Sequence, residues 1–383
     1  MTTGAPTAAP APAPAALPFW LSLTFVPLFA AGLVYGGGFI VAIPLYGWGV
    51  MTLLDGIFGH ETRNRDPETP ATDLFWFRMV TLVWFPIQFV VLFVGLWVLT
   101  HGTHLGGWEK LGLMFGIGVT SGTIGIVYAH ELMHKTGRTE QHLADALLAM
   151  VLYSHFRSEH LLVHHPWVGT GRDTVTARYN EGFHRFFARV LRQGPGSAWR
   201  AERALLARRG LPVWSRRNPF WKYAGLQLGF LGLAFAIGGA AGVGFFVLQA
   251  FVAIWQLELT NYVEHYGLTR RYLGAGRYEP CRPHHSWNAD HKVSNLLLIN
   301  LQRHSDHHCH PMRPYALLQT YGTDQAPNLP FGYPAMAAMA MIPPLWRRRM
   351  NRRVRDWRRQ FYPDISDWQA YRQLSHPLPV GAG

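Results

Sequence analysis

Six long apolar runs, separated by short polar or glycine-rich breaks, set the pattern of this chain. They cover residues 17–36, 39–58, 79–99, 111–129, 223–239 and 243–262. Each approaches the roughly 20 residues that a helix needs to cross a bilayer, where a helix satisfies its own backbone hydrogen bonds. Gly36, Gly37 and Gly38 join the first two runs and predict a tight hairpin; 101–108 links the next pair, and 238–242 the last. Six crossings put both termini on one side. The polar residues gather in two blocks, so the pattern predicts an all-α fold: an integral membrane bundle of six transmembrane helices with a helical cytoplasmic cap. The organisation reads as a tail over 1–16, helices one to four over 17–129, a first cap block over 130–222, helices five and six over 223–262, and a second cap block over 263–383. The tail is rich in Pro and Ala and predicts disorder; it lacks the basic start and cleavage site of a signal peptide. No internal repeat is visible.

Composition agrees with a membrane protein: 49% of the residues are hydrophobic and only 15% charged. Of the 35 Lys and Arg residues, all but Lys110 fall on the side of the termini. The positive-inside rule makes that side cytoplasmic and predicts a multi-pass protein of the inner membrane with its polar blocks in the cytoplasm. The net charge of +13 suits contact with anionic lipid or the docking of an acidic protein. A basic strip (Arg347, Arg348, Arg349, Arg352, Arg353, Arg358, Arg359) beside Trp346 and Trp357 fits either use. No recognised nucleic-acid motif accompanies the charge, so nucleic acid is not expected as a partner. Cys281 and Cys309 form no CxxC pair and face a reducing compartment, which leaves a disulfide or an internal sulfur-bound iron centre unsupported.

Candidate chemistry lies just past the apolar runs, in histidines at helical spacing: His130 and His134; His160, His164 and His165; His304, His307 and His308. Residues three or four apart share a helix face, and each neutral ring offers one nitrogen to a cation. Neighbouring residues lie about 100° apart around a helix. His164 and His165, like His307 and His308, can therefore serve two different metals. His265 closely follows the sixth run, at the depth where His130 ends the fourth. Nine rings exceed what one ion of about four to six ligands accepts, so two metals is the economical count. The acids Glu131, Glu159, Glu264 and Asp306 adjoin the rings and are expected to accept their outward N–H groups, orienting them and balancing charge. Glu258, Asn261 and His265 share one face of the sixth run. Glu258 lies roughly 10 Å along the axis from His265 and is expected as a polar link to the site. His284, His285 and His291 sit in a loop-like stretch and are expected to hydrogen-bond beneath the site. His101 and His104 lie across the membrane from it. His60, His142, His155, His184, His310 and His376 lack a clustering argument.

Ligands at one end of the bundle disfavour a transporter, whose site would lie near the midplane. A structural zinc protein would need about four ligands per ion and no access channel. The boxes HxxxH, HxxxHH and HxxHH in a membrane chain resemble the membrane fatty-acid desaturase and hydroxylase superfamily. The stretches 261–268 (NYVEHYGL), 282–288 (RPHHSWN) and 301–308 (LQRHSDHH) narrow this to a close resemblance to the bacterial alkane 1-monooxygenases, also called alkane omega-hydroxylases, over residues 53–344. Val163 departs from it, at a position where that family is expected to carry a small residue, usually Gly. The resemblance implies a non-haem di-iron centre that uses O2 to hydroxylate the terminal methyl of linear alkanes. It also implies electrons from rubredoxin, reduced in turn by an NADH-dependent flavin reductase. The implied ligands are His130, His134, His160, His164, His165, His265, His304, His307 and His308, the set that spacing alone marks out. A desaturase or hydroxylase of another lipid-like substrate is the alternative, which spacing does not separate. The first four runs carry no charged side chain in their central portions, so an uncharged hydrocarbon is the expected guest. Gly112, Gly116, Gly118, Gly122 and Gly125 predict close helix packing or room for a slender ligand.

Overall fold

The computed structural model describes residues 15–373; the predicted disordered tail lies outside the described residues except for Ala15 and Ala16. Among the described residues the chain is helical apart from loops, two isolated bridges and one small antiparallel ribbon, Tyr272–Gly274 with Arg277–Tyr278. Five helices are long and apolar enough to cross a membrane: Leu17–Tyr35, Gly37–Phe58, Ala71–His101, Gly107–Met133 and Phe220–His265. The third and fourth outrun the apolar stretches at both ends. Polar residues such as Glu109, Lys110, His130 and Glu131 continue a helix once its backbone ladder is running, whatever solvent surrounds them.

The hairpin between the first two helices turns at Gly36 and Gly37, with φ of 58° and 54°, values that glycine adopts without a Cβ clash. The last helix is 46 residues long but leaves helical geometry at Gly238 and at Gly239, where φ is 57°. A Cβ on Gly242 would strike the carbonyl oxygen of Ala234. Residues eight apart in a straight helix are separated by about 12 Å, so the chain doubles back at this point.

Gly107–Met133 is the central helix, its apolar window 78% buried, whereas that of Gly37–Phe58 is only 17% buried. Glycines let its neighbours approach. A Cβ on Gly118 would lie 2.7 Å from the Gln249 carbonyl oxygen, and one on Gly122 would lie 2.8 Å from that of Ala253. Gly112 and Gly116 receive Ile40 and Ile43. The glycines thus serve close packing. Val34, Leu45, Leu53, Val94, Leu228 and Phe235 face outward from the long helices, as lipid-facing positions do.

Shorter helices carry the polar blocks. Asp55, near the end of the second long helix, accepts hydrogen bonds from the backbone N–H groups of Val293 and Ser294 (2.9 Å each), seating helix Lys292–Leu297. Helix Pro343–Phe361 buries Trp346, Met350, Val354 and Trp357 at helical spacing. Trp346 packs against the rings of Tyr262 (tilted) and Tyr266 (edge-on), while Arg348, Arg349, Arg352 and Arg359 remain exposed. Its tryptophans therefore face protein, and these four arginines form the outer surface.

Candidate metal centre

Nine imidazoles converge in two groups. His130, His134, His160, His165 and His307 form the first; His164, His265, His304 and His308 form the second. Eight of them are buried and His165 half-buried. In the first group the Nε2 of His160 lies 2.9 Å from that of His130, 3.1 Å from that of His134 and 2.9 Å from that of His165. His307 approaches His165 at 3.1 Å. In the second group the Nε2 of His304 lies 3.2 Å from that of His265 and 3.0 Å from that of His308. A ring nitrogen can share one proton, not three, so protons cannot satisfy the contacts around His160. A cation at the focus satisfies them together: nitrogens about 2.1 Å from an ion stand roughly 3 Å from one another. The donor set fits a metal.

Local backbone form assigns each ring. Helix Gly107–Met133 carries His130 into the first group, and His134 follows one turn later. Segment 156–167 passes through a π turn at His160–His164. Residues five apart stand about 140° apart on an α-helix but come into near register across an i→i+5 turn. His160 and His165 thereby meet one focus while His164 turns to the other. On the short helix His304–Cys309, His304 and His308 are one turn apart and share the second group, and His307 crosses to the first. Both predicted pairs of adjacent histidines divide between the groups. The groups are themselves adjacent, with ring centroids of His165 and His308 4.8 Å apart.

The site's carboxylates have distinct roles. Glu264 Oε2 lies 3.3 Å from His304 Nε2, the nitrogen that faces the second focus. Glu258 accepts from the Tyr153 hydroxyl (3.0 Å) and from the Asn261 amide (3.2 Å). Glu131 pairs with Lys135 at 2.8 Å, Glu159 accepts from Thr174 at 2.9 Å, and Asp306 binds Arg313 at 2.6 Å. The carboxylate that touches an outward ring nitrogen is Asp173, 2.9 Å from His164 Nδ1. It lies in a loop with no periodic pattern; its only sequence signal is an acid a few residues past a histidine box.

The sequence profile of the fatty acid desaturase family matches residues 106–340, which contain all nine histidines. An alkane 1-monooxygenase 2 from Pseudomonas aeruginosa is 39% identical over 314 residues, 80% of this chain and 82% of its own length. An alkane 1-monooxygenase from Pseudomonas putida is 37% identical over 88% of this chain and 85% of its own length. The chain belongs to the alkane 1-monooxygenase family. The hydroxylase component of a xylene/toluene monooxygenase from Pseudomonas putida is more distant, at 25% identity over 87% of the chain.

In this member of the alkane 1-monooxygenase family, burial and then the neighbouring rings hold His134, His160, His165, His304, His307 and His308 well below the usual imidazole range. They are therefore neutral and available as ligands. Burial opposes charge on His164 too, but Asp173 outweighs it and raises that ring. A third cluster, Glu279 with His284 and His285, lies apart from the nine. Its rings approach the Tyr362 hydroxyl at 3.1 and 2.6 Å, and that hydroxyl also bonds Glu279. His291 packs against the His60 ring, tilted to it, with centroids 4.5 Å apart. Trp287 and Asn288 brace the third box: the Trp287 indole donates to the Tyr266 carbonyl at 2.9 Å, and Asn288 donates to the Ser305 hydroxyl at 2.6 Å. Cys281 and Cys309, distant in sequence, come together without forming a disulfide.

Proposed function

We propose that this chain is a non-haem di-iron monooxygenase of the bacterial inner membrane. It hydroxylates the terminal methyl of linear alkanes to primary alcohols with O2 and two electrons from rubredoxin, itself reduced by an NADH-dependent reductase. The observation that carries the reading is the convergence of five and four buried imidazoles on adjacent foci, in a chain that family membership ties to alkane oxidation. One iron would be held by His130, His134, His160, His165 and His307, the other by His164, His265, His304 and His308 with Glu264 at hand. The irons, when bound, supply O2 activation. One oxygen atom enters the C–H bond, and the other leaves as water with two electrons and two protons. Asp173 would hold the ring of His164, and the buried surroundings would keep bulk water from the reacting centre.

The break at Gly238 and Gly239 supports six crossings, and the Lys and Arg asymmetry supports a cytoplasmic site. A crevice of about 40 Å³ is lined by Gly47, Trp48, Thr123, Val127, Gln256 and Thr260, where the second, fourth and last long helices meet. Its lining holds no Asp, Glu, Lys, Arg or His, so it suits the uncharged end of a slender chain and offers a carboxylate no counter-charge. Val127 lies one helical turn before His130 and Thr260 five residues before His265, so the crevice sits beside the helix ends that carry these two rings. Desaturation of a lipid-like chain is the second reading, favoured by the desaturase profile match.

Full-length protein with reduced rubredoxin, a medium-chain alkane and labelled O2 should yield labelled primary alcohol, and metal analysis should give about two irons per chain. An alkene product would select the desaturase reading. Full activity with stoichiometric zinc would overturn the iron assignment.

A further inference from the structure

A second cavity, about 510 Å³, has none of the nine histidines in its lining and carries an excess of positive charge. Its walls combine Ala15, Pro18 and Phe19 at the start of the first long helix with Glu61, Arg63, Asn64 and Arg65 just past the end of the second, and with Lys292 and Arg303. It therefore sits where two membrane-length helices end on one side, at headgroup level. Four cations line it, Arg63, Arg65, Lys292 and Arg303, against one carboxylate, Glu61, which Arg63 takes at 3.0 Å. Arg65 has no carboxylate partner among the described residues: it reaches the Ala15 carbonyl and lies over the Phe77 ring. Lys292 likewise makes no ion pair among the described residues.

Arg303 is the built element. It is 5% exposed, and its guanidinium donates only to neutral acceptors: the carbonyls of Leu318 (2.7 Å), Arg63 (3.1 Å) and Glu61 (3.2 Å), and the Asn64 amide oxygen (3.3 Å). Its Nε is buried without a partner. Asp290, Glu61 and Asp306 act on it only through space. A buried charge is normally paired, and a fork of donors with one left over suits a tetrahedral oxyanion. The fourteen residues before Ala15 contain no Asp or Glu to supply the missing charge.

We propose that this cavity binds a phosphate group, that of an anionic phospholipid headgroup at the membrane surface. Phe19, Pro18 and Leu296 would take the first carbons of the lipid, and Arg65, Lys292 and Arg303 its phosphate. The site makes no use of the metal centre, so it stands apart from the catalytic reading. The test uses the full-length protein in neutral detergent, with thermal unfolding measured as phosphatidylglycerol, phosphatidylcholine or inorganic phosphate is added. Phosphatidylglycerol should raise the unfolding temperature by several degrees more than phosphatidylcholine. The double variant Arg65→Gln, Lys292→Gln leaves the buried Arg303 scaffold intact and should lose that difference. A rise with inorganic phosphate that the double variant also loses would support the phosphate site with a soluble anion as its source. Equal responses to the two lipids with none to phosphate, or a response that the double variant retains, would overturn the proposal.

Discussion

Among single residues, Asp173 is the one whose importance the spacing of histidines does not reveal. Its Oδ2 meets His164 Nδ1 and also accepts from the Thr176 hydroxyl at 2.6 Å, so loop and ring hold each other in place. A carboxylate behind a metal-bound imidazole fixes the tautomer and raises ligand basicity. Asp173→Asn keeps the shape and removes the charge. It should weaken iron loading by about 10- to 100-fold while leaving the thermal unfolding of metal-free protein nearly unchanged. Titration of the metal-free variant with ferrous iron checks this, and parent-like loading would remove Asp173 from the site. The nine candidate ligands are legible in the sequence, eight because imidazoles recur at helical intervals and His265 because it follows the sixth apolar run. Their neighbours are not, because an acid that reaches a ring across a loop has no period.

Helices decide how closely the ligands hang together. His130 ends the run of the central helix and His265 ends the last long one, and these two helices meet through Gly118 and Gly122. At Gly122 a Cβ would lie 2.7 Å from the Gln256 side chain as well as against the Ala253 backbone. Gly122→Ala should therefore force the helices apart and cost about 1–3 kcal/mol, as overpacking does, with a matching loss of iron retention. Gly244 has nothing within 4 Å of its would-be Cβ, so Gly244→Ala should stay within about 0.5 kcal/mol of the parent. Thermal unfolding and iron content of the two variants measure the contrast; equal effects would show that the glycine stripe does not set the spacing. The π turn at His160–His164 belongs to the same scale. The spacing of the second box puts three rings on a helix, but only the wider turn sends His160 and His165 one way and His164 the other.

For the whole molecule the governing quantity is the charge of its polar side. Helix Pro343–Phe361 packs Trp346 inward over Tyr262 and Tyr266, within four residues of His265, and shows arginines outward. That arrangement suits an acidic electron donor brought close to the second histidine group. Opposite charges speed encounter in a salt-dependent way. With rubredoxin as the proposed donor, raising ionic strength should slow turnover at low donor concentration by at least about tenfold, with little change at saturating donor. The exposed-surface variant Arg348→Glu, Arg352→Glu should reproduce the high-salt rate at low salt. Steady-state kinetics against donor concentration measure both effects, and a variant indistinguishable from the parent at every salt concentration would move the dock elsewhere.

What the sequence determined by itself were the quantities that repeat along a chain: apolar runs of bilayer length and imidazoles at helical intervals. These are local, because a helix satisfies its own backbone and its period is written into each stretch. Tertiary structure alone decided which rings share a focus, since each group draws on residues more than 140 positions apart. It also decided that Glu264 faces the second focus while Glu131 and Asp306 turn to Lys135 and Arg313, and that the C-terminal tryptophans pack on protein. Those outcomes depend on which surfaces meet once the helices are packed, and no period along the chain encodes that.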